Sequence, residues 1–171
     1  MKTIISASIL AAGLAFSGAS QAVVVASTTL NVSATVAVDC TVTTTAVNFG
    51  NMNATQYSGA SGDVSVTCTT GTPYTITLDS GLNLYGTTRQ MKNTADGVSL
   101  AQYALFTING SWWGDAGYAN IYPWAGGVAD TSNGAVQPHP VYGQAIATSA
   151  TTGLPVPAGA YSDTVNVTVN Y

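Results

Sequence analysis

Few side chains in this 171-residue chain are arranged for covalent chemistry. His139 is its one histidine and stands between Pro138 and Pro140. A serine hydrolase elbow needs Gly-x-Ser-x-Gly, which sets the serine on a sharp strand-to-helix turn. Serine is plentiful here, but that pentapeptide is absent. There is no glutamate, so a glycosidase would need a pair of aspartates. Asp115 and Asp130 share a Trp-rich region, yet no spacing pairs them. An Asp-x-Asp-x-Asp-Gly calcium loop is missing too. Cys40 and Cys68 form no Cys-x-x-Cys motif, and with one histidine they make a poor zinc or redox set. No catalytic residue, metal or cofactor is expected, and the chain is read as a non-enzyme.

Recognition chemistry remains. Trp112, Trp113, Tyr118, Tyr122 and Trp124 lie within thirteen residues. Exposed aromatic rings stack on sugars, so these could form a carbohydrate platform. They could equally cover a sandwich or make subunit contacts, because aromatics are enriched at interfaces. Four Asn-x-Ser/Thr triplets begin at Asn31, Asn53, Asn109 and Asn166. Two fall in expected strands, where a glycan would clash, and they are assigned no function.

The elements that position these residues follow from the chain's organisation. Residues 1–22 read as a secretory leader: Lys2, an apolar run from Ile4 to Phe16, then Ser20-Gln21-Ala22. Cleavage after Ala22 would start the mature chain at Val23. No later stretch is apolar and long enough for a membrane-spanning helix. The formal charge is −4, and without Lys2 the two basic residues left, Arg89 and Lys92, against seven Asp leave −5. Nucleic acid is excluded as a partner, since its phosphates need many Lys and Arg. A disordered chain would be highly charged and poor in apolar residues; this one is 6% charged and 46% hydrophobic. So little charge suits a protein packed into an assembly. In an exported protein, two cysteines are expected to pair, the alternative being two free buried thiols. The bridge would contribute about 3–4 kcal/mol on the chain-entropy model.

Alternating apolar and polar residues mark strands. Asp63 to Thr70 alternates Val64, Val66 and Cys68 against Ser65 and Thr67. Pro73 to Ser80 alternates Tyr74, Ile76 and Leu78 against Thr75, Thr77 and Asp79. Strands are also expected at Cys40–Phe49, Ser99–Asn109, His139–Ala147 and Ala160–Tyr171. Asn53–Gly62 reads as a loop, Gly81–Gly97 as an irregular edge, and Gly110–Pro138 as a long loop. No stretch shows sustained helical periodicity. The fold class is all-β: an incomplete immunoglobulin-like Greek-key β-sandwich of six strands plus an extra strand in front.

That front strand is Leu30 to Val38. Leu30, Val32, Ala34, Val36 and Val38 take one face, and Asn31, Ser33 and Thr35 the other. It precedes a body one strand short of the usual seven.

The front strand, the Cys40/Cys68 pair and the ending Pro157-Ala-Gly-Ala-Tyr161-Ser-Asp163-Thr-Val165-Asn-Val167-Thr-Val169-Asn-Tyr171 resemble the spore coat protein U domain family. Trp113-Gly114-Asp115 resembles that family's Trp-Gly dipeptide. The similarity covers nearly all of the mature chain. The family contains subunits of archaic chaperone–usher pili of Gram-negative bacteria. The resemblance implies donor-strand complementation. Residues 23–38 would be the donor segment and 39–171 the pilin domain. A periplasmic chaperone would lend a strand first. At the outer-membrane usher, the front strand of the next identical or related subunit would replace it. Val165, Val167, Val169 and Tyr171 would border the acceptor groove, with the three valines facing the core.

Magnitudes agree with that role. Burying Leu30, Val32, Ala34 and Val36 would yield about 5–8 kcal/mol from apolar area. Ladder hydrogen bonds would add about 0.5–1.5 kcal/mol each. A typical domain is stable by only about 5–15 kcal/mol. The reading is a structural subunit of a surface pilus, exported through the periplasm and supporting adhesion and biofilm formation. The alternatives are a secreted carbohydrate-binding module using the Trp-rich loop, or a stand-alone coat protein.

Overall fold

A computed structural model describes residues 25–171; the expected leader, residues 1–22, lies outside the described residues. The chain divides into two units, Met1–Thr35 and Val36–Tyr171. In the first, residues 25–35 belong to no strand ladder and carry exposed side chains.

In the second unit ten strands and one short helix are described. They are β1 (Cys40–Thr45), β2 (Ser58–Cys68), β3 (Pro73–Leu78), β4 (Leu84–Tyr85), β5 (Thr88–Asn93), β6 (Leu100–Phe106), α1 (Ala116–Ile121), β7 (Val128–Thr131), β8 (Gln137–Ile146), β9 (Tyr161–Ser162) and β10 (Val167–Asn170). One sheet runs β1-β2-β8-β6-β5-β4, with β9 also paired to β5; the other runs β10-β3-β7. Consecutive β2 and β3 lie in different sheets, while β2 pairs with the distant β8. This is an all-β sandwich with the non-sequential pairing of a Greek key.

Alternation explains the central strands. Val64, Val66 and Cys68 of β2 are buried, as are Tyr74, Ile76 and Leu78 of β3, while the threonines between them are not. With Leu105, Trp113 and Val141 they form one core between the sheets. The Cys40–Cys68 disulfide ties β1 to β2.

The structure revises several sequence expectations. β2 starts at Ser58, inside the expected loop. The expected edge at Gly81–Gly97 is a β4–β5 hairpin, and β5 is an interior strand between β6 on one side and β4 and β9 on the other. Its Thr-Arg-Gln-Met-Lys-Asn sequence hides its burial because Arg89 is buried through hydrogen bonds. The guanidinium donates to the carbonyls of Leu78, Asp79 and Trp113 and lies 4.1 Å from the Tyr118 ring centroid. The expected long loop holds α1 and β7. Six residues are too few to show a helical period. The Asp115 side chain caps α1 by accepting from the Tyr118 backbone N–H.

The last expected strand is divided. β9 pairs with β5 in one sheet, then β10 pairs with β3 in the other. Residues 163–166 cross between the sheets without a ladder.

Candidate functional site

β1 ends one sheet and β10 ends the other, each paired on one side only. Register partners in an antiparallel pair share a face. Val42 is paired with Val66 and Thr44 with Val64, so all four point inward. Val66 is 0% exposed, yet Val42 is 42% exposed and Thr44 is exposed as well. Across the sandwich, Val165, Val167 and Val169 pack on the core but remain half-buried. Both end strands turn apolar side chains inward that nothing fully covers.

A cleft of about 1300 Å³ opens along them. Thr44 to Ala54 form one wall, Val156 to Val165 with Val167 the other, and the floor includes Leu78, Met91, Tyr103, Leu105 and Val141. Val47 and Phe49 lean over the floor because β8 offers Gly143 there; a Cβ at Gly143 would stand 2.7 Å from Val47 Cγ1 and 2.8 Å from the Phe49 ring. Of the residues named from the ending motif, Val165 and Val167 line the cleft. Val169 packs on the core beyond it. Tyr171 does not border the cleft. It is 61% exposed and lines a separate shallow depression with Pro73, Tyr74 and Asp130. The alternation that groups it with the valines runs past the end of β10 at Asn170.

The front residues divide at the boundary between the units. Leu30, Val32 and Ala34 lie in the first and are exposed, Leu30 at 88%. Val36 and Val38 belong to the second and are exposed also. Beside Val38 the chain is tied to the body: Thr69 Oγ1 donates to the Ala37 carbonyl at 3.3 Å, and the Thr69 N–H to the Asp39 carbonyl at 3.0 Å.

Sequence reasoning missed the crossover of residues 163–166. Asp163 Oδ1 accepts from the Leu82 N–H and Asn83 Nδ2, both at 3.1 Å, and Oδ2 accepts from the Tyr103 hydroxyl at 2.6 Å. Burial foremost, then Asp163, pushes the Tyr103 phenol well above its usual range, so it stays a donor. Asp79 accepts from the Asn166 N–H at 3.0 Å and from Asn166 Nδ2 at 2.6 Å. Only the Asp163 in the quoted ending could have signalled this.

The aromatic set does not form one exposed platform. Trp113 is 0% exposed, with Nε1 donating to the Ile76 carbonyl, and Tyr118 is buried with its hydroxyl donating to the Thr87 carbonyl. Trp112 packs between Phe106 and Tyr122 with its ring tilted to both, half-buried with the latter. Trp124 alone of the five is fully in solvent, at 77% exposure. The rings read as a platform because sequence gives their types and not their direction. His139 meets the Tyr74 hydroxyl at 2.9 Å and Asp130 at 3.7 Å, joining the two sheets. Burial lowers its pKa, against the pull of Asp130. Among the described residues, no three His, Cys, Asp or Glu side chains come together to hold a metal.

Fold and cleft define a β-sandwich whose two end strands border an open cleft with an apolar floor. The chain belongs to the spore coat protein U domain family, whose model matches residues 26–168. Among solved structures it is similar to a chain in the crystal structure of the CsuC–CsuE chaperone–tip adhesion subunit pre-assembly complex, from archaic chaperone–usher Csu pili of Acinetobacter baumannii. The TM-score is 0.57 at 22% identity, covering 80% of this chain and 41% of that one. That likeness concerns the fold, and this chain spans 41% of the length of the chain it matches. No curated protein gives a match.

Proposed function

We propose that the chain is a structural subunit of a chaperone–usher surface pilus, polymerising by donor-strand complementation. The observation that carries this reading is the pair of inward faces left uncovered on β1 and β10, on either side of a cleft with an apolar floor. A single extended strand is the shape that fits: its backbone would hydrogen-bond to the free edges and its alternate side chains would fill the cleft. The chain carries such a strand in Leu30, Val32, Ala34 and Val36, all exposed here. The occupant is this segment of another copy. Before assembly a periplasmic chaperone fills the cleft, since an open edge beside apolar surface invites aggregation. Delivery passes through an outer-membrane usher to the cell surface, where the fibre supports adhesion and biofilm formation. The Csu complex, a chaperone with a pilus subunit, is in keeping with these partners.

Deleting residues 23–36 tests the reading. The shortened chain is expected to retain chaperone binding and to lose self-assembly. Unchanged fibre formation by the deletion variant would overturn it.

A further inference from the structure

One wall of the cleft, between β9 and β10, has no strand ladder to shape it. Residues 163–166 pass from one sheet to the other, with Val165 facing the cleft midway. Such a stretch could collapse onto the floor or swing outward. Two carboxylates hold it. Asp163, at the near end, accepts from Tyr103 on the cleft floor and from Leu82 and Asn83 in the loop after β3. That single side chain therefore ties the crossover to β6 and to the loop between β3 and β4. Asp79, at the far end, holds Asn166 by backbone and side chain. Gly81, at φ +75, makes room: any Cβ there would collide with Asp163 Oδ2.

We infer that Asp163 is a positioning residue for strand acceptance, presetting the Val165 wall so that the cleft is open before the incoming strand arrives. This rests on the donor-strand reading above. Its consequence is kinetic. A preset wall spares the incoming strand the cost of ordering four residues, so the pin acts on association more than on dissociation.

The test is capture of a fluorescent peptide of residues 25–38 by the mature chain, followed by anisotropy, beside the thermal midpoint of each variant. The mature wild-type chain, held below the concentration at which it assembles, is expected to capture the peptide saturably, and an absence of capture there would defeat the donor-strand reading itself. Asp163→Ala removes all three bonds that this carboxylate accepts and is expected to slow association about tenfold, with dissociation changed less. Should Asp163→Ala not fold, Asn83→Ala and Tyr103→Phe each remove one donor and are expected to slow association by a smaller factor. Wild-type capture with unaltered association in folded variants overturns the inference, even if their melting temperatures fall. A merely structural Asp163 would lower the midpoint and leave association per folded molecule untouched.

Discussion

Val42 and Val66 face the same way from paired positions on β1 and β2, yet Val66 is wholly buried and Val42 is 42% exposed. The interior strand is thus finished on its inner side and the edge strand beside it is not. The two should respond differently to mutation. Val66→Ala is expected to cost the isolated subunit about 2–3 kcal/mol, the burial of a valine side chain. Val42→Thr should cost about 0.5 kcal/mol or less, as for a surface site, and should weaken strand capture instead. Chemical denaturation alongside peptide binding separates the two effects.

The disulfide closes the loop between β1 and β2. Replacing Cys40 and Cys68 together by serine is expected to lower unfolding free energy by about 3–4 kcal/mol. Denaturant titration of the oxidised and reduced wild type should give a similar difference.

Arg89 and Trp113 cap the part of β3 that β7 does not reach. β7 pairs with β3 from Pro73 to Ile76. At its last pair Trp113 Nε1 donates to the Ile76 carbonyl, and beyond it Arg89 donates to the carbonyls of Leu78 and Asp79. Trp113→Ala is expected to cost about 3–5 kcal/mol through the cavity it leaves. Trp124→Ala, at an exposed site, should change stability by no more than about 0.5 kcal/mol. A carbohydrate role for the cluster would instead predict loss of sugar binding by Trp113→Ala with the fold intact, which melting curves would reveal.

The strands whose one face is core were legible as sequence. Val64, Val66 and Cys68, or Tyr74, Ile76 and Leu78, announce both a strand and its inner side. The interior position of β5 was not legible, because Arg89 enters the core by donating to carbonyls that sequence cannot place. Nor does the even alternation from Tyr161 to Tyr171 reveal that the chain changes sheets after Ser162. Apolar period reports which way side chains point and is silent about which sheet receives them. Val165 and Val167 line the cleft from the face their period assigns them; Tyr171 continues the period past the end of its strand and lies elsewhere.

His139 couples stability to acidity. Burial lowers its pKa in the folded protein below the unfolded value near 6.5. The folded state therefore binds its proton less readily than the unfolded chain does. The stability this group contributes is fully present above about pH 6.5 and declines as pH falls below it. The neighbouring Asp130 limits the loss, and Tyr74 and Gln137 complete the polar surroundings. Thermal midpoints between pH 7.5 and 5 should fall for wild type and fall less for His139→Gln.

The most direct test of the account is an aspartate scan of the front strand, scored by light scattering of assembled chains. Aspartate at Leu30, Val32 or Val36 should abolish chain growth, because each would bury a charge in a neighbour's cleft. Aspartate at Asn31, Ser33 or Thr35 should leave growth within about twofold of wild type, since those side chains would face out. Equal effects on both faces, or a wild-type chain that remains a heat-resistant monomer, would contradict the account.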